Sequence, residues 1–480
     1  MSSGLKRNLR ARHVSMMALG GAIGTGLFLA SGEAVSQAGP GGSLAAYALM
    51  GVLVLAVMQS LAEMAAAIPV SGSFQEYARR FTSEAFGFAT GWNYWFNEVV
   101  TVAAELSAAA IVMQYWFPDS SAWLWAGLFL LLLVALNALT VGWYGESEFW
   151  FALIKVVAVL VFLTIGVAMI VGILGDSPGG RNWNVGEAPF VGGAGGVAAV
   201  FMVAGFAFQG VESMGVAAGE MEDPTRSIPR ATHAIFWRIL LFYVGAIAVI
   251  GTVLPYTDPN LLNSDVTDVA VSPFTLVLDH AGVLAAAAVM NAIILASVLS
   301  SGNSVLYVSV RMLRALAATG SAPRGLAVVS KRGVPVRSLL ACVLVAAALF
   351  ALSMWGNGSA YLWLVTASSM SGFLSWMSIS WSHIRFRRAM RAQHHSLSAL
   401  PYRAPLYPVA PVLSLALCAY VVVGQAVDAA LSGAGLGYVV AILFSPALFL
   451  LLWWGHRAVT GSRRVRLEEA DLSAPQDIEV

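Results

Sequence analysis

The chain has 480 residues, of which 59% are apolar and 11% charged, with a formal net charge of +1 and a mean hydropathy of +0.77. A soluble chain carries charge at about a quarter of its residues, so this composition excludes a soluble protein and describes one solvated by lipid. Cys342 and Cys418, the only two cysteines, lie in apolar runs and exclude a disulfide framework or a cysteine metal set.

Twelve segments are long and apolar enough to cross roughly 30 Å of hydrocarbon. They are predicted at 14–35, 41–67, 86–116, 121–141, 147–174, 193–219, 232–254, 275–316, 337–355, 358–384, 407–427 and 436–455. Residues 1–13 form an N-terminal segment carrying Lys6, Arg7, Arg10 and Arg12. The first span behind it lacks a small-residue cleavage site and reads as retained rather than as a signal peptide.

That span contains Gly20-Gly21-Ala22-Ile23-Gly24-Thr25-Gly26 at mid-membrane depth. Each Gly costs a helix roughly 0.5 to 1 kcal/mol relative to Ala. The glycines fit either a close helix-packing face or a broken helix whose freed N–H groups hold a substrate carboxylate. The third span carries Glu98 and Glu105, about two turns apart and so on nearly one face. Glu105 is flanked by Ala103, Ala104 and Ala108, which leave room for a ligand.

Lys155 lies well inside the fifth span and is the one cation expected to be buried. It could snorkel to an interface or pair permanently with a glutamate. Alternatively it loads and releases a proton, or supplies a fixed charge where a sodium ion would otherwise sit. A second interruption, Gly205-Phe206-Ala207-Phe208-Gln209-Gly210-Val211-Glu212, falls in the sixth span, five spans after the first. Paired breaks point to inverted repeats, residues 14–174 and 193–384, with the spans of 407–455 peripheral. Carbonyls near Phe206, Ala207 and Phe208 would receive an α-ammonium while the first break receives the carboxylate.

Glu220, Glu222 and Asp223 are expected at a solvated mouth beside Arg226 and Arg230. In the eighth span Asn291, Ser300, Ser301, Asn303 and Ser304 form a polar stripe, read either as packing glue or as a cavity wall. Trp376 in the tenth span is a candidate gate. Residues 456–480 form a polar tail expected to be disordered.

All but two of the 26 Lys and Arg fall on one side of this layout, the exceptions being Arg181 and Lys155. The positive-inside rule therefore puts both termini in the cytoplasm. No phosphate-binding loop, zinc spacing or nucleophile elbow is present, so no enzyme activity, cofactor, metal or nucleic-acid partner is expected and any work must be driven by a gradient. Nothing sets an oligomeric state.

Gly20 to Gly26, followed by Leu27-Phe28, resembles the first-span signature of the amino acid-polyamine-organocation superfamily. Pro69-Val70-Ser71-Gly72-Ser73-Phe74, Gly91-Trp92-Asn93-Tyr94-Trp95, Glu148-Phe149-Trp150-Phe151 through Lys155, and Ser227-Ile228-Pro229-Arg230-Ala231 resemble the bacterial amino acid transporter family within it. The likeness is strongest to lysine-transporting members, in segments such as Gly215-Val216-Ala217-Ala218-Gly219-Glu220 and Val271-Ser272-Pro273-Phe274-Thr275-Leu276-Val277.

The resemblance implies an all-α, leucine-transporter-type fold of about twelve membrane helices with a five-plus-five inverted repeat. It implies proton-coupled import of an amino acid, L-lysine foremost, across a bacterial inner membrane. Ala22, Ile23, Gly24, Thr25 and Gly26 would hold the carboxylate end; Phe206, Ala207, Phe208 and Gly210 would hold the amino end. Glu105 is the acid expected to meet the ε-ammonium, with Asn303 lining the pocket, and Lys155 and Glu212 would couple protons. Arginine, ornithine or a neutral amino acid remain alternative substrates, and an exchanger or a non-transporting sensor alternative roles.

Overall fold

The computed structural model describes residues 12, 13, 16, 23–28, 30–70, 72–139, 141–262, 272–283, 285–354, 360–431 and 436–474. Among them, nine helices are long and apolar enough to cross a membrane. Two further helices and the first expected span lie outside that count. Ala122–Asn137 is apolar but shorter, and Ala360–Ala392 is long but rich in serine. The remaining one is the first span, which runs directly into the second. Helix Ala30–Ala67 contains the end of the first expected span and the whole of the second, bent at Gly39 (φ 71°), after which Pro40 starts the second helix without needing an N–H partner. Ser43 Oγ donates to Ala34 O at 2.6 Å and Gly39 O at 2.8 Å, satisfying carbonyls that the bend exposes.

Two expected spans differ in outline. The 275–316 segment is two elements, Pro273–His280 and Ala286–Ala318, separated by Gly282 (φ 72°) and Ala285 (φ 57°), left-handed residues that end one helix and redirect the next. The seventh span starts earlier, at Pro224, and passes through a π-helical turn at Ile239–Val244.

Apolarity alone does not locate the core. In the third span, Glu84–Gln114, 83% of the most apolar stretch is buried, against 22% in the more apolar last helix, Leu436–Thr460. The third span is central because its polar residues have partners. Thr90, Asn93, Asn97 and Thr101 repeat at helical spacing and face a matching serine stripe on the tenth span. Asn93 Nδ2 donates to Ser371 O at 2.9 Å and Ser371 Oγ to Asn93 O at 2.8 Å. Ser368 Oγ donates to Asn97 Oδ1 at 2.8 Å, and the Thr90 and Ser378 hydroxyls meet at 3.3 Å. In a bilayer such bonds hold helices together where apolar burial against lipid gives little preference.

Residues 461–474 pack against the bundle, where a disordered tail was expected. Val465 N donates to Thr82 O at 2.8 Å, and Gln393 Nε2 reaches Leu467 O and Ala470 O at 3.0 and 2.8 Å. Arg385 donates to Phe81 O at 2.6 Å and also to Val465 O, tying the tail to the short helix Ser73–Phe81 and the tenth span. Apolar groups add to these backbone contacts: Ala470 is buried in the core, and Val465, Leu467 and Leu472 pack against it. Burial raises the Asp471 carboxyl, but bonds from Ser473 and the charges of Arg80 and Arg79 outweigh it and leave a net lowering. Its contribution to docking is therefore present at neutral pH and is lost only as pH falls through that depressed value. Replacement of Arg385 by alanine is expected to release the tail at neutral pH, measured as faster tryptic cleavage at Arg463 and Arg464 in detergent-solubilised protein.

Candidate functional site

The second expected break is present, and the described part of the first is non-helical at Ile23 and Gly24. At the first, Ile23 and Gly24 precede a short helix, Thr25–Phe28, whose Leu27 and Phe28 N–H groups return to Gly24 O at 3.2 and 3.4 Å. Ser297 Oγ donates to Ile23 O at 2.8 Å from the eighth span. Gly20, Gly21, Ala22 and the Thr25 side chain lie outside the described residues. At the second, the sixth span tightens to a 3₁₀ turn at Gly205–Phe208, Gln209 is extended and Gly210 takes φ 93°, before helix resumes at Ser213. The breaks touch: a Cβ on Gly26 would stand 2.6 Å from Ala207 Cα, so only glycine permits this approach.

A cavity of about 40 Å³ lies against the breaks, bordered by Gly24, Gly26, Phe206, Ala207 and Gly210. It has room for roughly a water or two, so this is a closed state. The third span contributes Asn97, Glu98, Thr101 and Glu105 to the lining, the eighth Ser301 and the tenth Ser368. Both acids of the third span thus face the same space. Glu105 Oε1 accepts from Ser301 Oγ at 2.7 Å and lies 3.5 Å from where a Gly24 Cβ would be, at the level of the first break.

Behind the cavity lie two further acids. Glu148 is fully buried and accepts from Ser300 Oγ at 2.9 Å and Asn303 Nδ2 at 3.4 Å. Glu148 and Glu105 act electrostatically on the buried Lys155. Glu212 accepts from Trp376 Nε1 at 3.1 Å and from Gly210 N at 3.2 Å. Lys155 is not the only buried cation. Arg238, Arg311 and Arg387 are buried as well, because each reaches a polar partner inside the bundle. Arg238 donates to Tyr243 Oη at 3.3 Å, and Tyr243 donates to Ala207 O at 2.7 Å in the second break.

The amino acid permease family model matches residues 13–468. The chain belongs to the amino acid permease family. It is 51% identical to the lysine-specific permease LysP of Escherichia coli (strain K12), over 97% of this chain and 96% of that one. It is 44% identical to the histidine permease HisP of Lactococcus lactis subsp. cremoris (strain MG1363), covering 98% of each chain. It is also 44% identical to the lysine-specific permease LysP of the same strain, over 98% and 94%. Among solved structures it resembles Mhp1, a nucleobase-cation-symport-1 family transporter in a closed conformation with bromovinylhydantoin bound, with a TM-score of 0.53 at 15% identity over 96% and 95% of the chains. The fold is that of a leucine-transporter-type, all-α, multi-pass membrane protein, and the permease's substrate class is amino acids.

Several candidate residues sit elsewhere than expected. Asn303 is absent from the cavity lining; it bonds Glu148 and accepts from Asn137 Nδ2 at 2.9 Å, so it orients the acid facing Lys155. Phe208 stacks on Tyr243 at 4.2 Å, and Glu212 stands behind the break. Glu220 is not at a solvated mouth. It is fully buried, accepts from Tyr307 Oη at 2.6 Å and pairs with Arg311 at 3.1 Å. Tyr307 stacks on Tyr144 at 3.8 Å, so polar and aromatic groups on successive turns of the eighth span fill the way from Ser301 toward the arginine-rich end of the permease.

Sequence reasoning passed over Glu148, Asn97, Thr101, Gln209 and Ser368. The helical repeat of serines through Ser368, Ser371, Ser375 and Ser378 was a readable signal for the last of these. Two outcomes test the geometry. Gly26→Ala is expected to push the breaks apart and remove amino acid uptake, read with labelled substrate in vesicles at equal protein amount. Arg311→Met, leaving Glu220 buried without its cation, is expected to cost roughly 3 to 5 kcal/mol. It should appear as a lower melting temperature in detergent, largely restored in the double variant with Glu220→Gln.

Proposed function

We propose that this permease imports L-lysine with protons across a bacterial inner membrane by alternating access. The observation that carries this reading is the cavity between two touching breaks, lined by two carboxylates. The breaks offer backbone groups to the parts every amino acid shares, and the acids suit a side chain bearing a cation. Relatives named as lysine-specific permeases in two organisms support the choice of lysine. The one-sided Lys and Arg distribution supports cytoplasmic termini. The repeats at 14–174 and 193–384 are the bodies that would rock around the site.

Buried charge supports proton coupling. Four buried acids, Glu98, Glu105, Glu148 and Glu212, are set against the buried cations Lys155 and Arg238, which act on Glu105, Glu148 and Glu212. With all six ionised, two negative charges remain unmet in the interior. A lysine side chain supplies one positive charge and a proton the other. Lys155, acted on by both Glu148 and Glu105, is the group whose protonation would switch with substrate.

In proteoliposomes, labelled lysine is expected to accumulate when the outside is acidic and to stop accumulating when a protonophore collapses the gradient. Lys155→Ala should lower uptake by about tenfold or more and remove its dependence on the gradient. Uptake unchanged by either treatment would sink the coupling scheme. Competition by arginine, ornithine, histidine and leucine separates lysine from the other substrates, and preloading with unlabelled lysine separates symport from exchange.

A further inference from the structure

The two acids lining the cavity are not equivalent. Glu105 has a cation acting on it, Lys155, and its Oε1 accepts from Ser301 at 2.7 Å, while its Oε2, like that of Glu98, has no hydrogen-bond partner among the described residues. Among the described residues Glu98 has no such cation. It is 2% exposed, its Oε1 accepts a 3.3 Å bond from neighbouring Asn97, and among the described residues its Oε2 has no hydrogen-bond partner. The charged group acting most strongly on it is another acid, Glu212. Tyr94 Oη faces both carboxylates without closing a bond of ordinary length to either, and it brings no charge.

A buried carboxylate oxygen beside a second acid, with neither donor nor cation, is costly. It is the position in the cavity where a cation is missing. Arg238 acts on Glu212 from the seventh span and Lys155 on Glu105 from the fifth, while the buried Arg311 and Arg387 pair with Glu220 and Glu63.

The spacing gives this vacancy a place along the substrate. Glu105 is level with Gly24, where the shared carboxylate and ammonium groups of an amino acid would be held. Glu98 is seven residues earlier on the same helix, about 10 Å along its axis. An extended lysine side chain reaches roughly 6 Å beyond its α-carbon, which carries its ammonium over more than half of that distance toward Glu98. Around Glu98 the lining is polar and uncharged: Asn97, Thr101 and Ser368 bond one another, and Gln209 reaches Ser369 O at 2.9 Å while its Oε1 has no partner among the described residues. This end supplies further oxygen acceptors for a three-donor ammonium group.

We propose that Glu98 is the side-chain specificity residue, receiving the distal cationic group of the substrate, and that Glu105 belongs to the Lys155 coupling set instead of the side-chain pocket. The inference deepens the lysine reading and rests on it for the identity of the cation, but not for its position. It revises the expectation that Glu105 meets the ε-ammonium.

The test compares Glu98→Gln with Glu105→Gln, each reconstituted and checked for an unchanged melting temperature, using lysine, arginine, ornithine and the neutral lysine-length analogue norleucine as competitors of uptake. Glu98→Gln is expected to lower the preference for the cationic substrate over norleucine by about tenfold or more. Glu105→Gln should lower uptake of both kinds together and flatten its dependence on the proton gradient. If Glu105→Gln collapses the preference and Glu98→Gln preserves it, the assignment is overturned. Should the wild type carry arginine or ornithine rather than lysine, the lysine reading fails, while a Glu98→Gln loss of cation preference still supports the pocket assignment. A wild type that prefers norleucine overturns both. If Glu98→Gln melts lower, Glu98→Asp decides: it keeps the charge, so retained cation preference supports the assignment and its loss together with equal norleucine uptake overturns it.

Discussion

In hydrocarbon a backbone group without a partner costs several kcal/mol, and this permease places two broken helices at that depth. The rest of the interior is arranged to satisfy them. Ser297 covers Ile23 O, Tyr243 covers Ala207 O, and the Gly210 N–H is taken by Glu212 two residues on. Two of these partners are themselves held: Tyr243 by Arg238, Glu212 by Trp376. The carbonyls and N–H groups left over at the cavity are those a substrate would use. A site that binds by backbone is indifferent to the side chain, which is why selectivity must come from the third, sixth, eighth and tenth spans that surround it.

The same requirement explains why ionisable residues are so few and so closely placed. Lys155, Glu148 and Glu105 come from the third and fifth spans and are oriented by hydroxyl and amide groups of the eighth, where Ser300, Ser301 and Asn303 each bond one of the two acids. A polar stripe that could have been either packing glue or cavity wall is both. Consecutive residues of one helix face point to different acids, so displacement of the eighth span would change the surroundings of both at once. In the proposed mechanism that is how a proton on the Lys155 set communicates with the substrate without touching it.

Much of this was legible in the sequence. Hydropathy located the spans, glycine density located the breaks, and two glutamates seven residues apart could only share a face. What was not legible depends on partners brought together from distant parts of the chain. Glu220 followed by Glu222 and Asp223 reads as a solvated acidic run, yet Glu220 is buried because Arg311 and Tyr307, nearly ninety residues on, close around it. Arg238 counts as a loop cation until the π-helical turn carries it into the bundle. Asn303 and Ser301 are two residues apart on one helix, and only the packing of the third and fifth spans decides which reaches the cavity. The tail lacks apolar periodicity, so composition gives no warning that its backbone bonds Thr82, Arg385 and Gln393.

In the proposed alternating-access mechanism, the contacts around the small cavity divide the molecule into parts that stay together and parts that must separate. Gly26 against Ala207 joins the two breaks backbone to backbone, leaving no layer of side chains in which to slide, so these segments move as one. The reciprocal amide and hydroxyl bonds between the third and tenth spans join that pair as firmly. By contrast, the path from Ser301 toward the arginine-rich end is filled by side chains alone: Tyr144 on the fifth span, Tyr307 and Arg311 on the eighth, and Glu220 at the end of the sixth. The Glu220–Arg311 ion pair, hydroxyl bonds from Tyr307 to Glu220 and from Tyr144 to Ser304, the tyrosine stack and the Arg311 guanidinium over the Tyr307 ring hold it shut. Opening there requires exposing Glu220 and Arg311 to water, in which both are readily solvated, so the cost of separating the pair falls as water enters. A gate made of charges that are buried when closed and hydrated when open can hold two states of similar free energy, which alternating access demands.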